Sequence, residues 1–392
     1  MNRRKLLQAA GLSLVTTAVA KPAIAQAQGP IKIGLIQSMT GPFNDTGKAV
    51  VSGAQLYVRQ HGDVVAGRGI QLIIRDDATA PDQAKRAAQE MIVNDKVAVI
   101  GVGITPSALS IAPLVTEAKV ATVVMLSGAS ITVERSPYMV QTSFTLGQSS
   151  AVMADWLVQS GARKIVTLVN DWTPGLESEA VFKEHIPKGK AEVIESLRMP
   201  LANPDFAPFL QRARDLAPDT LFVFPANQSG IFAKQFSERG MNKSGIRLVG
   251  TGDLTDDGQL PGMTDAALGI VTTHHYSALH DSPLNNAYRE NFQAAYGMRA
   301  NYVSVGGYDG MHLIYEALKK TGGNTDGDAL VSVMKGMSWE SPRGPISIDP
   351  QTRDIVQNEY IRRVEKVNGE LYNVEFATFE GVKDPVKAAK KK

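Results

Sequence analysis

The stretch IKIGLIQSMTGPFNDTGKAVV, residues 31–51, decides the fold of this chain. It begins with a short apolar run, continues through a polar turn that contains Gly41-Pro42, and then shows apolar residues at helical spacing. Strand, loop and helix in this order form half of a βαβ unit. Open α/β sheets bind their ligands at the carboxyl ends of the strands. We therefore expect the loop of this stretch to form one lip of a ligand cleft.

The same alternation of strand and helix patterns continues along the chain. Residues 30–130 follow the order β-α-β-α-β-α-β, and a second set of similar size runs over residues 149–249. Near-continuous apolar runs, such as residues 97–102, are typical of strands that are buried on both faces. The pattern predicts an α/β fold with parallel sheets covered by helices. Two later helical patterns and a hairpin signal at Asn368-Gly369 belong to neither set by periodicity alone.

Length and charge limit the possible classes of protein. A chain of 392 residues is long enough for two domains with separate cores. The formal net charge is +2, and four of the basic residues lie within the first 25 positions. The remainder is close to neutral, which gives no electrostatic argument for a nucleic-acid partner.

The first 25 residues have the features of an export signal. Arg3-Arg4-Lys5 precedes an apolar run at 6–20, and Ala23-Ile24-Ala25 is an A-x-A cleavage site. We expect cleavage near Ala25 or Ala27, and both the secretory and the twin-arginine routes fit. A run of about 15 apolar residues is too short to span a bilayer. The mature protein is therefore expected in the periplasm, and its lysine-rich last ten residues as a frayed, solvated tail.

Most catalytic and metal-binding motifs are missing. The chain has no cysteine, which excludes disulfides and thiolate ligands. His274-His275, with His280 nearby, is the one local histidine group, but adjacent strand residues point to opposite faces and make poor joint ligands. We expect these histidines to form hydrogen bonds in a loop or cleft. We expect the pair Asp256-Asp257 to act as helix caps or solvated turn residues, and we expect neither a metal nor a cofactor.

Nucleotide and enzyme signatures fail on spacing. Residues 41–48 resemble a P-loop, but five residues separate the two glycines and Ala49 stands where a hydroxyl must hold Mg²⁺. The stretch 101–106 begins like a dinucleotide fingerprint, but Pro106 replaces its third glycine. No G-x-S-x-G elbow is present. The chain is accordingly expected to bind a ligand and not to act as an enzyme.

Loops at predicted strand ends remain as the candidate site. Thr105 begins a predicted helix, where free N–H groups and the helix dipole favour an anion, although capping of the helix would explain it equally. The glycine-serine loop at 127–130 offers hydroxyls and close backbone approach. Asp253 follows a strand and could accept a hydrogen bond from an ammonium or hydroxyl group. Trp172 and Asn227 occupy the corresponding loops of the second set.

At this point the residues resemble a known family, the periplasmic solute-binding proteins of the leucine/isoleucine/valine type, which feed ABC importers. The similarity covers nearly the whole mature chain, and no single marker is specific. The markers are, in order, Lys32-Ile33-Gly34, Thr40-Gly41-Pro42, Asp76-Asp77 with Pro81 and Ala84, Asp95-Lys96-Val97, the 127–130 loop, Gly307-Tyr308-Asp309-Gly310, and Gly344-Pro345-Ile346.

The resemblance implies two doubly wound parallel-sheet lobes, joined by three crossovers, with a ligand cleft between them. Lobe 1 would comprise residues 29–148 and 276–343, and lobe 2 residues 149–275 and 344–392. It further implies a monomer that captures a small carboxylate by lobe closure and delivers it to a membrane ABC permease. A ligand-sensing receptor domain of the same fold is the alternative.

The resemblance also implies roles for individual residues. Thr105 and the loop Gly128, Ala129 and Ser130 correspond to the carboxylate-binding positions. The second lobe lacks the tyrosine usual in an Asp-x-x-Tyr-Gly motif, because the segment here is DWTPG at 171–175. Asp253 is aligned near the acid that pairs with a ligand ammonium. These departures favour an aromatic or hydrophobic carboxylate over an aliphatic amino acid, with aromatic walls from Phe43, Trp172 and Tyr276.

Overall fold

Two sheets form the framework of the computed structural model, which describes residues 29–201 and 205–389. The predicted export segment, with its cleavage positions near Ala25 and Ala27, lies outside the described residues. Within those ranges, none of the helices is both long enough and apolar enough to cross a bilayer.

The first sheet has six strands in the order β2-β3-β1-β4-β5-β6, all paired in parallel except β2 with β3. Two of its strands, Val99–Val102 and Ala121–Val124, are buried at every position and are apolar except for Thr122, as is typical of strands covered on both faces. In chain order its elements are β1 (Ile31–Gln37), α1 (Asn44–His61), β2 (Val64–Val65), β3 (Arg68–Asp76), α2 (Pro81–Glu90), β4 (Val99–Val102), α3 (Thr105–Glu117), β5 (Ala121–Val124) and β6 (Met139–Gln141).

The second sheet has nine strands, of which five are parallel and the rest add an antiparallel edge. Its first part comprises α4 (Leu146–Gln159), β7 (Lys164–Asn170), α5 (Thr173–His185), β8 (Glu192–Met199), α6 (Ala207–Asp215), β9 (Thr220–Phe224), α7 (Ser229–Glu238), β10 (Arg247–Thr251) and β11 (Val271–His274). The chain then forms α8 (Pro283–Tyr296), α9 (Tyr302–Lys320), α10 (Gly327–Met334), β12 (Ser338–Ser341), β13 (Gly344–Ile348), β14 (Ile355–Val367), β15 (Glu370–Val382) and α11 (Pro385–Ala389).

Helices α8, α9 and α10 return to the first lobe. Helix α9 packs along α1, and α10 packs on β5 and β6. The contact between α1 and α9 is close because both helices place a glycine in it. A β-carbon on Gly53 would lie 1.9 Å from the carbonyl oxygen of Ser304, and one on Gly307 would lie 2.1 Å from that of Val50. Gly307, one of the family markers, is therefore needed for α9 to pack closely against α1 in the first lobe.

The chain passes between the lobes three times, at residues 142–145, 275–282 and 335–337, and we call these three segments the hinge. Strand β12 pairs with β13 in the second sheet, in the register Ser338 with Ser347. The chain therefore returns to lobe 2 with strand β12, one strand earlier than the expected return at residue 344. The terminal hairpin joins the second sheet as the resemblance implied, because β14 pairs with β11.

Two features of the chain end test the sequence predictions. Asn368 and Gly369 have φ values of 52° and 87° and join β14 to β15, which confirms the hairpin. The expected frayed tail is wrong for residues up to 389. Helix α11 is ordered there, and Lys387 is buried against the carboxylate of Asp354 because its charge is paired.

Arg343 links segments of both lobes to the first crossover of the hinge. Arg343 is fully buried, and its Nε lies 2.9 Å from Oδ2 of Asp309 in α9. Its Nη1 donates to the carbonyl of Ser143 at 2.9 Å and to Oε1 of Gln357 at 3.0 Å. Nη2 donates to the carbonyl of Thr142. One guanidinium thus connects a first-lobe helix, the first crossover and a second-lobe strand.

Candidate functional site

A cavity of about 660 Å³ lies between the lobes, at the carboxyl ends of the parallel strands. Phe43 follows β1, Thr105 follows β4 and Gly128 follows β5. From the other lobe, Trp172 follows β7 and Asp253 follows β10. All five line the same cavity. The expectation that strand-end loops converge on one cleft is met by this geometry, as it is in open α/β sheets generally.

Thr105 is the first residue of α3, and Ile104 occupies the cap position. The Thr105 hydroxyl makes no capping hydrogen bond. Its Oγ1 lies 2.8 Å from Oγ of Ser127 in the loop after β5. The capping explanation for Thr105 is therefore wrong, because the neighbouring parallel strand brings a better partner. The first N–H groups of an α-helix have no acceptor inside the helix, and since Pro106 has no N–H, the start of α3 offers those of Thr105 and Ser107.

The loop after β5 contributes one residue to the cavity and another to the contact between the lobes. Gly128 lines the cavity, and a β-carbon there would lie 3.0 Å from the Leu146 side chain. Ala129 and Ser130 do not line it. Ser130 donates its backbone N–H, at 2.8 Å, and its hydroxyl, at 2.6 Å, to Oε1 of Glu177 in the second lobe. Burial raises the pKa of Glu177. Ser130 is thus positioned to join the lobes and not to face the cavity.

Aromatic rings form much of the cavity wall. Phe43 and Trp172 approach each other across the mouth, with ring centroids 6.2 Å apart. Phe144 and Tyr302 meet edge to face at 5.5 Å deeper inside. The indole N–H of Trp172 is buried and meets no hydrogen-bond acceptor within residues 29–201 and 205–389. Buried indole N–H groups normally find a partner, so this one is an exception among the described residues.

Tyr276 and Asn227 were both predicted to belong to the ligand site. Tyr276 is fully buried in the second crossover and is not among the lining residues. Its hydroxyl donates to Oδ1 of Asn285 at 3.0 Å, and Arg362 donates to its carbonyl. The expected aromatic wall from Tyr276 is therefore wrong, because the crossover turns the ring toward α8. Asn227 lies in a 3₁₀ turn after β9, and its side chain is outside the described part of the structure.

Asp253 lines the cavity and is otherwise enclosed by protein. Its Oδ1 accepts from the Tyr302 hydroxyl at 3.0 Å, and its Oδ2 accepts from Oγ1 of Thr251 at 3.1 Å. Burial raises the pKa of Asp253 to about 6, although these two hydrogen bonds act to lower it. A carboxylate has about four acceptor sites, so Asp253 retains capacity for a donor in the cavity.

The neighbouring acids, Asp256 and Asp257, contact other protein groups. Asp256 accepts the backbone N–H groups of Gly258, at 2.6 Å, and Gln259, at 3.2 Å, and both its oxygens lie 3.2 Å from Nδ2 of Asn301 in the other lobe. Asp257 is buried beside Arg362, with 3.6 Å between Oδ2 and Nη1. The turn-capping expectation holds for Asp256. The expectation that the pair is solvated is wrong, since both side chains are buried.

The histidine pair lies behind the aromatic wall. His274 and His275 are fully buried and pack on Phe144 at centroid distances of 5.0 and 5.2 Å. Burial lowers the pKa of both rings, so they are neutral. Their ring nitrogens have no hydrogen-bond partner among the described residues, which corrects the expectation of polar contacts. Nδ1 of His280 lies 3.0 Å from Oε2 of Glu375. The described ranges hold no His, Cys, Asp and Glu group suited to a metal.

Sequence reasoning missed several lining residues. Phe144 lies in the first crossover, and Asn301 and Tyr302 begin α9. The capping box of Asn301 with Ser304 is a recognisable helix start. That signal predicts a helix, but it does not reveal that this helix begins beside a cavity that Thr105 and Gly128 also line.

Comparison with known proteins decides the family. Residues 30–369 match the periplasmic binding protein family. This chain belongs to that family. The resemblance drawn from the sequence is confirmed, and so is the fold of two α/β lobes. Leu/Ile/Val-binding protein homolog 6 of Brucella suis is 40% identical to this periplasmic binding protein over 362 residues, 91% of this chain and 93% of the relative.

Two solved structures of solute-binding proteins of ABC transporters are especially similar to this periplasmic binding protein. One, from Rhodopseudomonas palustris BisB5 in complex with 3,4-dihydroxybenzoic acid, is 57% identical, with a TM-score of 0.90, and the match covers 92% of this chain and all of the other. The second, from Rhodopseudomonas palustris HaA2 in complex with p-hydroxybenzoic acid, is 40% identical, with a TM-score of 0.88 over 92% of this chain and 100% of the other. The family and the fold are those of binding proteins.

Proposed function

We propose that this protein is the extracytoplasmic solute-binding component of an ABC importer and that its ligand is an aromatic carboxylate with a ring hydroxyl. The observation that carries the proposal is the polarity of the cavity. The start of α3 at Thr105 lies on the lobe 1 side, the half-buried carboxylate of Asp253 lies on the lobe 2 side, and aromatic rings line the same cavity. The protein acts by binding and not by catalysis.

Electrostatics fixes the orientation of such a ligand. Lobe 1 contributes Asp45, Lys48 and Arg299 to the lining, and Arg299 pairs with Glu370 at 2.6 Å, whereas the charged lining residues of the second lobe are the acids Asp253 and Asp256. A ligand carboxylate is repelled by these two acids and attracted by the start of α3. The carboxylate therefore lies against Thr105 and Gly128, and the opposite end of the ligand faces Asp253.

A hydroxyl group satisfies Asp253 better than a bare ring does. Burying a carboxylate against an apolar ring edge removes water from its remaining acceptor sites without replacement. A phenolic hydroxyl donates to that oxygen and keeps the site satisfied. The hydroxybenzoate ligands of the two similar Rhodopseudomonas proteins have a carboxylate and a hydroxyl at opposite positions of the ring.

Lobe closure, export and delivery to a permease are also part of the proposed function. A ligand that touches both lobes has higher affinity for the closed form and stabilises it by that difference. We place lobe 1 at residues 29–148 and 276–337 and, after the correction for β12, lobe 2 at residues 149–201, 205–275 and 338–389. Export to the periplasm with loss of the segment 1–25, action as a monomer and delivery to a membrane ABC permease complete the proposed function.

A ligand screen on the wild-type mature protein tests this proposal. We expect 4-hydroxybenzoate and 3,4-dihydroxybenzoate to raise the thermal unfolding midpoint by several degrees at saturating concentrations, because a ligand that binds only the folded state stabilises it by mass action. Benzoate should raise it less, and leucine should have little effect. Stabilisation by leucine with none by any aromatic acid would contradict the proposed ligand class.

The substitution Asp253→Asn tests the hydroxyl end. We expect the wild-type protein to bind 4-hydroxybenzoate at least about 10-fold more tightly than benzoate, since a hydrogen bond to a charged group is involved. In the variant this preference should fall several-fold, because a neutral amide is a weaker acceptor. Isothermal titration of both ligands measures the ratio.

Asp265→Asn is the matched control for Asp253→Asn. Asp265 belongs to the same lobe, pairs with Lys366 at 2.7 Å and does not line the cavity. The control should leave the ligand preference at the wild-type value. An unchanged preference in Asp253→Asn would remove Asp253 from the hydroxyl site.

A further inference from the structure

A chain of three hydroxyl groups extends from the cavity into the protein behind Thr105. Oγ1 of Thr105 lies 2.8 Å from Oγ of Ser127, which lies 2.8 Å from Oγ1 of Thr132. The Thr132 hydroxyl donates to the carbonyl oxygen of Ala129 at 2.8 Å. All four residues are buried, and Thr132 and Ala129 do not line the cavity.

The carbonyl at the inner end sets the direction of the whole chain. A carbonyl oxygen only accepts, and each hydroxyl has a single proton to donate. Since Thr132 donates to Ala129, its oxygen must accept from Ser127, and Ser127 in turn must accept from Thr105. The Thr105 hydroxyl therefore directs its proton inward and presents only lone pairs to the cavity.

This direction is opposite to what a carboxylate needs. An ionised carboxylate is an acceptor only, so two sets of lone pairs would face each other at Thr105. The conflict disappears if the chain reverses, so that Thr132 donates to Ser127, Ser127 to Thr105, and Thr105 to the ligand. Reversal gives up the hydrogen bond from Thr132 to Ala129. The Ala129 carbonyl keeps the backbone N–H of Thr132, at 3.2 Å, as a donor.

We infer that Thr132 is a positioning residue, which sets the proton direction at the carboxylate end without touching the ligand. The inference rests on the proposed function, in which a carboxylate lies against Thr105. In the unliganded protein Thr132 holds the chain in the inward direction. Ligand capture reverses the chain and loses one internal hydrogen bond, so Thr132 lowers the affinity for carboxylates.

The substitution Thr132→Val tests this inference, because valine has nearly the same shape and no hydroxyl. Without Thr132 as acceptor, Ser127 is free to donate to Thr105, and no internal hydrogen bond is lost on binding. We expect Thr132→Val to bind 4-hydroxybenzoate about 2- to 10-fold more tightly than the wild type, the equivalent of one net hydrogen bond. Thr132→Ser keeps the hydroxyl and should restore the wild-type affinity. If the valine variant does not fold, Thr132→Ala, which also lacks the hydroxyl, replaces it.

A second background separates the hydroxyl chain from a merely structural effect. In Thr105→Val the chain no longer reaches the ligand, so adding Thr132→Val should leave the dissociation constant unchanged. An equal change in both backgrounds would show a structural effect and overturn the inference. So would weaker or unchanged binding by Thr132→Val in the wild-type background. If the wild-type protein binds neither 4-hydroxybenzoate nor benzoate, the proposed function fails, and this inference fails with it.

Discussion

Replacing Arg343 by methionine is expected to lower the free energy of unfolding by about 3–5 kcal/mol, because it leaves a partner charge buried without compensation. Asp309 is 1% exposed and would keep only the neutral donors Ser341, at 2.8 Å, and Trp339, at 3.2 Å. The carbonyls of Thr142 and Ser143 would also lose their donor. Urea unfolding followed by circular dichroism measures the change.

Two further variants make this expectation specific. Arg212→Met removes an arginine from an exposed ion pair with Glu195, at 3.1 Å, and should change stability very little. Adding Asp309→Asn to Arg343→Met removes the stranded charge and should recover part of the loss. Equal stability losses for Arg343→Met and Arg212→Met would mean that the buried ion pair does not hold the hinge.

Replacing Thr105 by valine is expected to weaken the binding of 4-hydroxybenzoate by about 10- to 150-fold. The loss corresponds to one hydrogen bond to a charged group, which contributes about 1.5–3 kcal/mol. Shape and burial are nearly unchanged, so the wall of the cavity remains intact. Isothermal titration calorimetry of the purified mature protein gives the dissociation constant.

Thr116→Val is the control for Thr105→Val, because it removes a hydroxyl from the same helix at a distance from the cavity. Thr116 donates to the carbonyl of Ala112 at 2.7 Å, and it is not among the lining residues. Its replacement should leave ligand affinity at the wild-type level. Wild-type affinity in Thr105→Val would show that the carboxylate lies elsewhere in the cleft.

The sequence predicts most of the framework, because burial on two faces gives strands an unmistakable pattern. Strands β4 and β5 are buried at every position and are apolar except for Thr122, as their sequences indicate. Short elements carry weaker signals. The three-residue strand β6 and helix α10 were not predicted, since their order comes from packing against neighbouring elements.

The site was predictable where loops follow strands and unpredictable where distant segments meet. Thr105 and Asp253 could be chosen because each follows a strand of its own parallel sheet. The pairing of Asp253 with Tyr302 joins residues 49 positions apart in different lobes, and no local pattern records it. Ser130 follows a strand as well, but its predicted role in ligand binding is not supported by its position. A hydroxyl in the right loop turns toward Glu177, because the lobe interface offers a closer partner.

The position of helix α11 has a practical consequence for fluorescent reporters. Asp384 and Pro385 approach Gly147 next to the first crossover, and Lys387 pairs with Asp354. Helix α11 therefore lies beside the first crossover, where the proposed lobe closure would move it. Gly29, by contrast, precedes β1 at the amino ends of the parallel strands, whereas the cavity lies at their carboxyl ends. A dye attached at residue 389 would sense lobe movement, whereas one at residue 29 would serve as an insensitive reference.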